Sequence, residues 1–227
     1  MRKRNLTIWV IVAVLCLVLS KADAVRIEGG TWLVDWEIND VVEIMNNPYD
    51  LPTTVNLLAG GSITGDARVH YDSRLNVVGG LIGGDVVADG SGEVTIFDGI
   101  LQRDLIAAGS SQVTVLGGEV MDWLTVAGYS YALISGGSIG TGIRAESTGK
   151  IIVVGTDFKI NGQSVDYGCL TNSDYPSGIL TGTLANGDPL DTHFDLYHSG
   201  SIFLTPEPST LLLLGLGAVM LRKRRSS

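Results

Sequence analysis

From Val55 onward the apolar residues of this chain recur every nineteen positions, and they do so in pairs two residues apart. One such pair runs Ala67/Val69, Val86/Ala88, Leu105/Ala107, Leu124/Val126 and Ile143/Ala145. A second runs Leu75/Val77, Val94/Ile96, Val113/Val115, Ala132/Ile134 and Ile151/Val153. A third, single column holds Ile63, Ile82, Leu101, Val120, Ile139 and Phe158. Inward positions two apart, filled mostly by β-branched residues, predict short strands with one buried face. Each unit therefore contains two strands, with the single column as the place for a third short one.

Strands this short bury little alone, but stacked units bury a continuous interior. A nineteen-residue unit spans roughly 60 Å at about 3.3 Å per residue, enough to go once around a filled core. The expected fold is all-β: a parallel β-helix (β-solenoid) of about five to six coils, capped at both ends, with an N-terminal signal helix and a C-terminal transmembrane helix. Intrinsic disorder is the rival for a glycine-rich repeat. Apolar residues that keep register for over ninety positions argue against it.

Glycines punctuate the units. Gly61, Gly80, Gly99, Gly118 and Gly137 stand nineteen apart, and Gly60, Gly79, Asp98, Gly117, Gly136 and Gly155 precede them or continue the row. A glycine fixed at one point per unit predicts a turn needing positive φ or a close backbone approach. Asp98 fits such a row because Asp tolerates the left-handed region better than most residues. Thr156 breaks the pair, so the array is expected to end there.

The flanks divide the chain further. Residues 1–24 read as a secretory signal, with Arg2, Lys3 and Arg4, an apolar run from Leu6 to Leu19, and the cleavage site Ala22-Asp23-Ala24; an uncleaved anchor is the lesser alternative. Residues 25–54 read as an N-terminal cap, with Trp32 and Trp36 packed into it or, alternatively, forming a carbohydrate-stacking platform. The solenoid repeats occupy 55–156. Residues 157–205 read as a C-terminal β cap, with turns at Asn161-Gly162 and Asn186-Gly187 and closing strands near Leu180–Leu184, Phe194–Tyr197 and Ile202–Leu204.

Residues 206–227 form the sharpest motif. Pro206-Glu207-Pro208 precedes an apolar run from Thr210 to Leu221, then Arg222-Lys223-Arg224-Arg225. About twelve apolar residues are short for a permanent span, which needs ~20, and the basic cluster holds its end in the cytoplasm. The pattern is that of an anchor built to be cut. It resembles the PEP-CTERM sorting signal of exported bacterial proteins, also labelled an ice-binding protein C-terminal domain. That resemblance implies recognition at Pro206, Glu207 and Pro208 by an exosortase after export and cleavage by signal peptidase. It further implies transient residence in the inner membrane, then delivery to the cell surface or an extracellular, exopolysaccharide-containing matrix. The ice-binding label implies nothing about ice affinity in the core.

Charge and cysteine narrow the chemistry. The two flanking segments hold eight of the fifteen Lys and Arg and two of the twenty-four Asp and Glu. The remainder carries seven basic and twenty-two acidic residues, a net charge of about −15, which disfavours nucleic acid as a partner. Of Cys16 and Cys169, the first lies in the leader, so no internal disulfide is expected in the mature chain.

Candidate catalysis is thin. His193 and His198 near Asp191 and Asp195 match no metalloprotease spacing, and His70 stands apart. Asp66, Asp85 and Asp104 share one position per unit and are expected to stack about 4.8 Å apart. With Arg68, Arg103 and Arg144 they raise a polysaccharide-lyase reading, but solvated turn aspartates account for them better. Asn76, Thr95 and Thr114 make a short outward ladder that ordinary β-propensity explains. The expected function is therefore non-enzymatic, structural or adhesive, with no cofactor or metal and with exopolysaccharide as a candidate partner. The alternative is a carbohydrate-binding or lyase-like β-helix, with Trp32, Trp36, Trp123 and Tyr129 as its aromatics.

Overall fold

A computed structural model describes residues 24–46 and 51–207. These contain twenty-three strands in one continuous hydrogen-bonded system and no helix. The signal and C-terminal helices expected from the sequence, together with Ala22 and Pro208, lie outside the described residues.

The strands stack in three columns. The first holds Val25–Glu28, Val42–Met45, Ala67–Val69, Val86–Ala88, Leu105–Ala107, Trp123–Val126 and Gly142–Ala145, and closes with Pro189–Leu196. The second begins with Gly30–Val34, Thr53–Leu57, Arg74–Val77 and Glu93–Ile96. It continues through the first halves of Gln112–Val120, Tyr131–Ile139 and Lys150–Ile160 and ends with Ser201–Thr205. The third holds Glu37–Ile38, Ser62–Ile63, Leu81–Ile82 and Ile100–Leu101, then the far ends of Gln112–Val120 and Tyr131–Ile139; the far end of Lys150–Ile160 leaves it to pair antiparallel with Ser177–Leu184. Neighbours within each column are parallel, so the molecule is a parallel β-solenoid of about seven turns, a stack roughly 35 Å long at about 4.8 Å per turn.

All the apolar columns read from the sequence point inward. Ala67, Val86, Leu105, Leu124 and Ile143 are fully buried, as are Leu75, Val113 and Ile151 on the second column and Ile63, Ile82 and Leu101 on the third. Successive layers thus share one continuous apolar interior.

The coil count of five to six is too low, because the stack reaches beyond the repeat at both ends. Val25 pairs with Val42, and Val42 with Ala67, across separations of seventeen and twenty-five residues rather than nineteen. Irregular loop lengths hide these coils from any fixed period, while strand register keeps them in the stack. Thr53 secures the first loops: its Oγ accepts the Gly29 N–H and donates to the Met45 carbonyl at 2.6 Å.

Nor does the stack stop at Thr156. Residues 161–188 form a detour of antiparallel strands, after which Phe194 falls into register above Ile143 and Ile202 above Ile151. The detour contains the expected hairpin, in which Ile160 faces Gln163 across Asn161 and Gly162, both at positive φ. Its later strands, Gly168–Thr171 and Ser177–Leu184, run antiparallel to the closing strands and cover their outer edges, which protects exposed pairing groups from further association.

Trp32 shares the inward column with Val55, yet it stays 40% exposed because it belongs to the first coil. Trp36 is 51% exposed. Neither is buried in a core, which corrects the packed reading of this segment.

Candidate functional site

Two glycine-marked corners shape the surface. At the first, the carbonyls of Gly61, Gly80 and Gly99 accept the N–H groups of Leu81, Ile100 and Glu119 in the next coil at 3.1, 3.0 and 2.9 Å. This ladder draws successive corners so close that a Cβ on Gly99 would stand 2.7 Å from the Gly80 carbonyl oxygen, in a residue already at φ +99°. Positive φ and close approach therefore act together at Gly80, Gly99, Gly118 and Gly137. In the irregular first unit the positive φ moves to Gly60, and the crowding alone constrains Gly61. Asp98 does not take the left-handed conformation; its Oδ1 instead accepts the Gly99 N–H at 2.7 Å.

A second left-handed corner escaped the sequence reading. Tyr71, Gly90, Gly109, Gly128, Ser147 and His198 all have positive φ, one per coil. The spacing of Gly90, Gly109 and Gly128 was its available signal. The substitutions Tyr71, Ser147 and His198 obscured it, because a side chain there costs only about 1–2 kcal/mol.

The aspartate row acts on the backbone. Asp66 Oδ1 accepts the Asp85 N–H at 3.0 Å, Asp85 Oδ1 the Asp104 N–H at 3.3 Å, and Asp104 Oδ1 the Trp123 N–H at 3.0 Å. Each carboxylate thus satisfies a turn donor of the coil above, which is otherwise expensive to leave unmade. Asp66 also meets Arg68 at 3.3 Å.

The row ends at an aromatic and charged cluster. The Trp123 indole lies over Gly142, where any side chain would collide with it. The Arg144 guanidinium sits 4.3 Å from the Trp123 ring centre and 5.7 Å from that of Tyr197. Arg144 also meets Asp195 at 3.4 Å, and Asp195 meets His193 Nε2 at 3.1 Å. Of the two histidines near Asp191 and Asp195, His193 meets Asp195, whereas His198 occupies the left-handed corner of the last coil. Arg68, Arg144 and the three aspartates do not converge: Arg144 belongs to this cluster, several coils from the Asp66–Arg68 pair. Among the described residues no group of three or more His, Cys, Asp or Glu is placed to hold a metal ion.

A shallow groove of about 620 Å³ follows the first glycine corner. Gly80, Gly99 and Gly118 line it together with Asp98, Ile100 and Glu119. The Asn186–Asp188 turn of the detour closes one end. Asp188 Oδ2 accepts the Gly137 N–H at 2.7 Å and an Asn186 Nδ2–H at 2.6 Å. The bond from Asn186, followed by that from Gly137, holds the Asp188 carboxyl below the usual carboxylate range.

The outward ladder extends beyond its expected members. Asn56 and Asn76 are joined side chain to side chain at 2.9 Å, then follow Thr95, Thr114, Leu133, Ile152 and Phe203 in register. Tyr129, one of the four aromatics singled out, is 82% exposed at the second corner.

The sorting motif adjoins the last strand. Thr205 pairs with Val154 and its hydroxyl donates to the Val153 carbonyl at 3.3 Å; Pro206 and Glu207 follow at once, both half-buried. Among the described residues no helix is long and apolar enough to cross a membrane. Comparison with curated proteins and with solved structures gave no match to the chain. Comparison with protein families matched residues 204–225 to the PEP-CTERM protein-sorting motif. This β-solenoid chain therefore carries a PEP-CTERM sorting motif, which implies processing by an exosortase and export through membrane-anchored sorting to the cell surface.

Proposed function

We propose that the protein is a non-enzymatic surface or exopolysaccharide-matrix component with a structural or adhesive role. The observation that carries this reading is a sorting motif joined directly to a rigid solenoid. The aspartate row supports it too, since its carboxylates are engaged in holding adjacent coils together. Leader removal by signal peptidase after Ala24 would expose Val25, the first residue of the first strand. Cell fractionation with intact-mass analysis tests the reading. The expected product begins at Val25, ends near Pro206 and is recovered from the matrix or medium. A product that retains Leu211–Ser227 in the membrane would replace it with a permanently tethered solenoid.

A second reading, a carbohydrate-binding β-helix, is favoured by the groove along the first glycine corner. Its lining crosses several coils, which suits an extended polymer better than a compact ligand. A glycan-binding screen of the secreted protein separates the two. Affinity lost on substituting Ile100 and Glu119 would support the groove.

A further inference from the structure

The closing strand Ser201–Thr205 is held on both sides. Lys150–Val154 pairs with it in parallel along one edge, and Gly168–Thr171 pairs antiparallel with Ser201–Leu204 along the other. Ile202 and Leu204 are buried in the interior. The matched sorting motif starts at Leu204, so its first two residues belong to this strand. Between the last paired residue, Thr205, and Pro206 there is no spacer.

That junction conflicts with what a processing enzyme requires. Enzymes that act on peptide chains take an extended segment whose backbone groups are free to pair with their own cleft. Leu204 is paired on both edges and Thr205 on one, so the strand that opens the motif is committed within the solenoid. On the other side, Thr210, where the apolar run begins, is only four residues beyond Pro206, a reach of about 15 Å even fully extended. An enzyme acting on the motif therefore has little free chain between the paired strand and the apolar run.

We propose that removal of the tail is gated by opening of the Ser201–Thr205 strand, so that the last coil of the solenoid controls its own release. The inference rests on the exosortase reading above. Cleavage of a segment protected by folding follows the population of its open form when closing outpaces cutting, and terminal elements open at lower free energy than the core. Processing then becomes a function of how firmly the detour clamps the closing strand.

The test follows conversion of precursor to product, by intact mass, for the full chain co-expressed with an exosortase. Four Gly and Ser residues inserted between Thr205 and Pro206 are expected to raise the rate at least about tenfold. In the opposite direction, Phe203→Cys faces Cys169 directly across the antiparallel pair. Oxidation to the disulfide would lock the strand and slow processing about tenfold, with parental speed regained on adding reductant. If both variants process at the parental rate while Glu207→Ala blocks processing, the gate is overturned and the sorting reading stands. If Glu207→Ala and the parent give the same products at the same rate, the sorting reading fails, and the gate falls with it.

Discussion

The middle coils and the last coil reach the same stacking by different routes. Between Ala67 and Thr141 units meet their neighbours nineteen residues away, save for an irregularity at Leu116, and backbone bonds tie successive glycine corners. The last coil instead meets its neighbour across a detour that separates Ile143 from Phe194. Its inward column still holds Phe194, Leu196, Ile202 and Leu204, all buried. Pairing register and an apolar interior thus define a coil, and a constant period is a frequent consequence of them. In the middle, contacts are local in sequence, and loss of one layer is felt by its two neighbours. At the end, closure of a long loop must be offset by a larger buried side chain.

The sharpest way to break this comparison is Phe194→Ala. Truncating a buried Phe is expected to cost about 3–5 kcal/mol. Native-state hydrogen exchange should show the loss concentrated in 142–205, with Ala67–Val126 still protected. Uniform loss across all coils would mean that the stack unfolds as one unit.

Gly99→Ala is the next largest. It adds a Cβ against the Gly80 carbonyl at a positive φ, and roughly 2–4 kcal/mol is expected from strain plus displaced backbone. Gly187→Ala in the detour shares the positive φ, at +94°, but meets nothing within 4 Å. It should cost about 1–2 kcal/mol. Denaturant titration of the pair separates close approach from backbone conformation, and equal losses would assign everything to φ.

A smaller effect is expected from Asp85→Ala. It leaves the Asp104 N–H without its carboxylate partner, for about 1 kcal/mol. Thermal unfolding measures it, and an unchanged midpoint would show that water replaces the carboxylate at no cost.

The smallest is a pH effect at Asp188. A carboxyl whose pKa is lowered in the folded state contributes stability that is fully present above the ordinary carboxylate range and is lost as the pH falls through the lowered value. Acidification should therefore loosen the Asn186–Asp188 turn from Gly137, with Asp188→Asn abolishing that acid dependence. Backbone NMR shifts of Gly137 during titration report it, and identical titrations of parent and variant would remove Asp188 from the closure.

The middle of the fold was legible because inward columns, Gly61 to Gly137 and the stacked aspartates all repeat at the same interval. Both additional parts of the stack were concealed for one reason. Val42 and Phe194 hold their places through hydrogen bonding to a neighbour, at intervals that no periodicity reveals. The candidate site divides in the same way. Pro206, Glu207 and Pro208 were readable as a linear motif, since an enzyme reads them as chain. The abutment of Pro206 and Glu207 against a strand held on both edges was not.

What the sequence determined by itself is the inward face of each strand, the corner that must be glycine, and the address of the chain. Side-chain period and tail composition are local properties, and local chemistry suffices to read them. The tertiary structure alone decided how many coils stack and which donors the aspartates satisfy. It also decided where Trp123 and Arg144 meet, and how the first residues of the sorting motif are held. Those depend on partners seventeen to fifty-one residues away, brought together only when backbone pairing and burial are satisfied at once.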